Sequence, residues 1–224
     1  FALSERAQDF ITRTQAFIQQ EIEPIEKAFW DEVHQLNVDG DWTKWQWPAQ
    51  LEQLKTKAKA AGLWNMFLPD TELGAGLSVQ EYAHIAELTG RSLLAPTVFN
   101  CNAPDSGNME VLWRYGSDEQ KRQWLQPLLA GEIRSVFCMT EPAVASSDAT
   151  NMQATAVVDG DEIVLNGRKW WSSGLGDPNA KVIIFMAYTP DPNKDRHHQH
   201  SMVLVPIETQ GVTIERMLPV FGDY

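Results

Sequence analysis

The chain has 224 residues, 43% of them hydrophobic, and a formal net charge of -12. That length holds one large domain or two small ones with a real core. The acidic balance argues against nucleic acid as the main partner, because phosphate-backbone binding needs clustered Lys and Arg. A small phosphate-bearing ligand held by local donors stays open. No apolar run is long enough to span a bilayer, and Phe1 to Arg6 show no basic stretch leading into an apolar one, so no signal peptide is expected. The first residue is not Met, and the natural ends are expected to lie beyond these residues. Cys101 and Cys138 lack metal-ligand spacing, so neither a disulfide framework nor a metal site is expected. The expected compartment is intracellular: cytoplasmic in a bacterium, mitochondrial or peroxisomal in a eukaryote.

Helical signals come first. Phe10, Phe17, Ile18, Ile22 and Ile25 recur at helical spacing, with Pro24 kinking or ending that run. Trp42, Trp45 and Trp47 form an aromatic cluster, read as packing between domains. Leu51, Leu54, Ala58 and Ala61 make a second apolar stripe, closed by Gly62. Gly74 and Gly76 imitate part of a dinucleotide fingerprint but lack its third glycine and βαβ setting, so a loop is expected there. Ser78 to Glu81 and Ser117 to Gln120 each read as a capping box opening a helix, with Pro127 a defect in the second.

Near residue 135 the pattern turns strand-like. Ser135 to Phe137 is β-branched and aromatic. Thr155 to Val158, Asp159-Gly160, then Ile163 to Leu165 predicts a hairpin. Lys181 to Tyr188, Ser201 to Pro206 and Val212 to Met217 read as further strands, and Pro190 to His200 as an exposed loop. The three histidines at 197, 198 and 200 lie in that loop without acidic or thiol ligands at metal spacing. Helices followed by strands predict an α+β chain: an all-α domain over 1–133 and a mostly antiparallel, β-barrel-like domain over 134–224.

Two segments carry chemistry. Phe137 to Asp148 leaves a strand into a turn dense in hydroxyls and backbone donors. Such a turn could stabilise a reduced flavin, whose N1 and C2=O edge gains negative charge. Read alone, it fits equally a Pro-containing turn whose Ser and Asp satisfy their own backbone. Lys169-Trp170-Trp171-Ser172-Ser173 sets a hydroxyl two residues beyond a tryptophan, on one face of a strand. Alone it also fits an ordinary core strand.

Together the two segments resemble the flavin-binding motifs of acyl-CoA dehydrogenases. Ala58 to Trp64 with Phe67-Leu68-Pro69, Tyr115 to Lys121 with Pro127 to Glu132, and Gly211 to Ile214 resemble the same family, over nearly the whole chain from Leu51. Asn102 to Glu110 resembles a subgroup found fused to kinase-like domains. The resemblance implies FAD as cofactor and α,β-dehydrogenation of an acyl-CoA thioester, with hydride passing to flavin N5. It implies that Phe137, Met139 and Thr140 lie along the ring, with Thr140 at its pyrimidine side. It also implies that Ser146 lies near the pyrophosphate and the CoA arm, that Trp171 flanks the ring, that Ser173 lies near N5, and that Ser172 beside it contacts the cofactor. Ser147 is an extra residue relative to the family turn, so either serine is a candidate for the phosphate. The family's catalytic carboxylate belongs to a C-terminal helical domain not seen in this sequence. No catalytic residue is therefore assigned, Glu141 is read as buttressing the turn through backbone or Arg contacts, and these 224 residues alone are expected to be inactive. The implied partners are electron-transfer flavoprotein or a similar acceptor, and further copies in a homodimer or homotetramer. The rivals are an oxygen-reactive flavoenzyme of the same fold and a non-catalytic flavin- or acyl-CoA-binding assembly module.

Overall fold

The computed structural model describes residues 2–146 and 148–220. The chain divides into two compact units, Phe1–Glu132 and Ile133–Tyr224.

The first unit is helical. Helix α1 (Glu5–Phe17) starts at Ser4, whose hydroxyl accepts from the Ala7 N–H. It runs into a wider π turn at Ile18–Ile22 before Pro24. Next come α2 (Glu26–Leu36), α3 (Gln50–Ala60), α4 (Val79–Thr89), α5 (Ala95–Val98) and α6 (Asp105–Tyr115). A final run goes from α7 (Asp118–Gln120) through a π turn at Lys121–Leu125 into α8 (Gln126–Ala130). Pro127 sits in the first turn of α8, where its missing N–H costs least, and the π turn before it absorbs the interruption. Both capping boxes form with both of their reciprocal bonds. The Glu81 carboxylate also accepts from the Ser4 hydroxyl at 2.6 Å, tying the start of α1 to the start of α4. Leu51, Leu54, Phe29, Ile22, Ile85 and Phe99 are among the buried side chains of this unit. The tryptophan cluster packs inside it: Trp47 lies 6.3 Å from Phe29 and 4.5 Å from Trp45, centroid to centroid. The loop at 41–47 thus folds back on α2.

The end of α8 is held by side chains. A helix leaves its last carbonyls without intrahelical partners. Here Asn100 Nδ2 donates to Leu128 O, Asn65 Nδ2 and Trp64 Nε1 donate to Leu129 O, and Lys59 Nζ donates to Ala130 O. Asn65 and Asn100 both adopt positive φ, +52° and +53°, and bond to each other at 2.7 Å. Gly131 ends the helix at φ +72°, and a Cβ there would meet Trp64 Cζ2 at 2.7 Å. Gly131→Ala is expected to lower stability by about 2 kcal/mol in urea unfolding, from left-handed strain plus overlap with an indole that cannot move aside.

The second unit is a five-stranded sheet: β1 (Arg134–Cys138), β2 (Thr155–Asp159), β3 (Glu162–Asn166), β4 (Ala180–Tyr188) and β5 (His200–Pro206). The predicted hairpin is β2–β3, with Asp159 opposite Glu162 around Gly160 at φ +62°. β4 is the hub. β5 lies antiparallel to it from Pro206 opposite Val182 to His200 opposite Tyr188, while β1 lies parallel to it. β2 reaches it through the single pair Thr155 and Tyr188. The continuous run Val182-Ile183-Ile184 is buried, as a strand covered on both faces requires. Among the described residues the sheet is therefore mixed and does not close, where a mostly antiparallel barrel was expected. Parallel pairing needs a long crossover, which residues 139–179 supply, and that pairing leaves no local sequence signal. Val212 to Met217, expected as a strand, has no ladder partner among the described residues. Val212 and Ile214 are half-buried and Thr213 and Glu215 exposed, so the side chains alternate without the hydrogen bonds that would make a strand.

Candidate functional site

The site grows from the end of β1. Val136 and Cys138 point into the core of the second unit, so alternation turns Phe137 and Met139 to the opposite face, where both are half-buried. β1 pairs with β4 as far as Cys138 opposite Phe185, and the chain then leaves the ladder. Thr140 binds Trp170 twice: Trp170 N donates to Thr140 O at 3.1 Å, and the Thr140 hydroxyl donates to Trp170 O at 3.0 Å. The two predicted segments are thus brought together at Thr140 and Trp170.

Beneath this contact lies an ion pair. Lys169 Nζ donates to Glu141 Oε1 at 2.8 Å and to Met139 O at 2.9 Å, and the two side chains are only 5% and 4% exposed. The Glu141 carboxylate also accepts from the N–H groups of Gln153 and Ala154, at 2.8 and 2.9 Å. Burial alone would raise the Glu141 carboxyl. Lys169 and the two backbone donors outweigh it and hold the group below its usual range. The buttressing role foreseen for Glu141 is met by backbone and by Lys169 rather than by Arg.

Trp171 sits at φ +52° and is 51% exposed. For a residue other than Gly this backbone is uncommon and needs support from its surroundings. It also breaks the alternation expected of a strand. Trp170 to Ser172 form no ladder, and the inference that Trp171 and Ser173 share a strand face does not hold. Instead Leu175 N donates to Ser172 O across a turn with Gly174 at φ +87°, and Ser173 is exposed on that turn. Burial pushes the pKa of the Cys138 thiol up, against the opposing effects of the Ser172 hydroxyl and the Lys169 charge.

The Ser146 hydroxyl accepts from the Glu141 N–H at 2.8 Å and donates to Val144 O at 3.2 Å, so it closes the turn from inside. Ser147, the other candidate, lies outside the described residues. The histidines of the distal loop do not converge: His198 turns onto Asp195, His200 lies on β5 beside Tyr188, and among the described residues no cluster of three or more metal-ligating groups exists.

Trp171 is exposed, Phe137 and Met139 are half-buried, and the segments that carry them are joined by the two Thr140–Trp170 hydrogen bonds. By sequence, residues 4–132 match the N-terminal domain of acyl-CoA dehydrogenases, and residues 136–223 match the middle domain. The chain belongs to the acyl-CoA dehydrogenase family. It is 52% identical to acyl-CoA dehydrogenase family member 11 of Mus musculus over 99% of its length and 28% of the mouse protein's. A protein assigned as an acyl-CoA dehydrogenase in Mycobacterium abscessus has a solved structure with 62% identity and a TM-score of 0.93, covering 100% of this chain and 56% of that one. A glutaryl-CoA dehydrogenase from Mycobacterium smegmatis, solved in complex with FADH2, shares the fold at 24% identity and a TM-score of 0.64, over 93% of this chain and 47% of that one. The acyl-CoA dehydrogenase segment described here thus spans about half, or less, of each of these relatives.

Proposed function

We propose that this chain supplies the flavin-facing part of an FAD-dependent acyl-CoA dehydrogenase that introduces an α,β double bond into an acyl-CoA thioester. The observation that carries the reading is Trp171, half-exposed at positive φ next to a Thr140–Trp170 pair locked by two hydrogen bonds. The family membership and the FADH2 held by the glutaryl-CoA dehydrogenase support it.

Bound FAD would act as the two-electron acceptor. The residues of this chain do the rest by position. The Trp171 ring would cover one side of the heterocycle and keep water off it. The backbone donors of the turn at Met139 and Thr140 would meet the edge that becomes negative on reduction. The hydroxyls of Ser172 and Ser173 are the polar groups nearest Trp171 in sequence. Phe137 and Met139 would supply apolar contact. No residue of the chain is assigned as the base that removes the α-proton. The reading implies a separate acceptor of the electron-transfer flavoprotein kind and a homo-oligomeric parent.

Titration of FAD into the protein, followed by flavin absorbance and fluorescence, tests this reading. The wild type is expected to bind, and Trp171→Ala to weaken binding about tenfold through lost stacking. A wild type that leaves the flavin spectrum unchanged would overturn it.

A further inference from the structure

We propose that Lys169 is a positioning residue whose charge is relayed through the Met139–Thr140 peptide to the Thr140 N–H, favouring reduced over oxidised flavin. The inference rests on the flavin reading above and adds a specific electronic role for a residue that touches no ligand. Lys169 Nζ donates directly to Met139 O at 2.9 Å. That oxygen and the Thr140 N–H are the two ends of one peptide unit. A cation on the carbonyl end draws electron density toward it and makes the N–H end a stronger donor, as hydrogen bonds in a chain polarise one another. The contact is nearly shut off from water, with Lys169 5% exposed and its ammonium 5.0 Å from the centroid of the Phe185 ring. Solvent therefore screens the effect little.

Thr140 itself points to the backbone as the donor. Its hydroxyl proton is engaged by Trp170 O and its carbonyl by Trp170 N. Glu141 lies on the far side of the ammonium, bonded to it at 2.8 Å, and opposes the relay by drawing the positive charge toward itself. The pair thus has a sign. Removing the cation weakens the Thr140 donor, and removing the anion strengthens it. A purely structural ion pair has no such sign, because loss of either partner loosens the same turn.

The test uses FAD-loaded wild type, Lys169→Met, Glu141→Gln and Lys169→Arg, with midpoint potentials measured by dye-coupled reduction. The Thr140 amide shift is also measured by NMR in the flavin-free proteins. Lys169→Met is expected to lower the preference for reduced over oxidised flavin about tenfold, or about 30 mV for a two-electron couple. Its Thr140 amide should shift as for a weaker hydrogen-bond donor. Glu141→Gln should move both readouts the other way, and Lys169→Arg should fall between Lys169→Met and wild type. Shifts of the same sign in Lys169→Met and Glu141→Gln, or no shift in either, would overturn the relay. The direction in Glu141→Gln decides the matter if Lys169→Met does not fold. A wild type that takes up no FAD overturns the proposed function and the relay with it, whereas bound FAD with an unchanged potential in Lys169→Met overturns the relay alone.

Discussion

Glu141→Ala is expected to destabilise the second unit by about 3–5 kcal/mol at neutral pH, lowering its melting transition by on the order of 15 °C. Removing the carboxylate leaves the Lys169 ammonium buried without its counter-charge, and leaves the Gln153 and Ala154 N–H groups without the acceptor they have in the wild type. Each is costly because a buried polar group that loses its partner pays its desolvation penalty. The pH profile makes the test sharper. In the folded protein the Glu141 carboxyl is held below its usual range. Its contribution is therefore fully present above the unfolded value, about 4.3, and is lost as pH falls through the folded value. The gap between wild type and Glu141→Ala should be widest near neutrality and should narrow in acid. Thermal unfolding followed by circular dichroism from pH 7 down to pH 3 measures it. A gap that is constant over this range would mean that the carboxylate does not stabilise the fold through its charge.

The second large effect belongs to Asn100. Its amide bridges Asn65 Oδ1 at 2.7 Å and Leu128 O at 2.9 Å, and the residue is buried at φ +53°. Asn100→Gly keeps the backbone freedom and removes only the bridge, at an expected cost of about 2 kcal/mol. Asn100→Ala removes the bridge and adds left-handed strain, about 1–2 kcal/mol more. Urea unfolding of the two variants separates the terms. Equal midpoints would show that the conformation, not the hydrogen bonds, is tolerant there.

What could be read in advance was local. Ser78 with Glu81, and Ser117 with Gln120, are three residues apart, and the bonds that make each capping box are confined to that span. Asp159-Gly160 announces the β2–β3 hairpin for the same reason. The turn after β1 was legible because its residues are contiguous and resemble a family motif. The Lys169–Glu141 pair was not, since its partners lie 28 positions apart and neither sits in a charged run. A lysine directly before two tryptophans was the one hint that it is buried. The left-handed Trp171 was hidden because nothing in an aromatic, hydroxyl-rich run signals positive φ. The bond from the Glu141 N–H to the Ser146 hydroxyl was not legible, because it depends on how the turn between the two residues folds.

The parallel pairing of β1 with β4 has a kinetic consequence. Phe137 and Ile184 face each other across the ladder, so pairing must first close a loop made of the whole intervening crossover, at an entropic cost. Contacts of this separation form late, whereas the β2–β3 hairpin can form alone within microseconds. The crossover is also the segment that carries Met139, Thr140, Lys169 and Trp171. The contacts of Thr140 with Trp170 and of Glu141 with Lys169 span most of that crossover, so they are expected to form after the hairpin does.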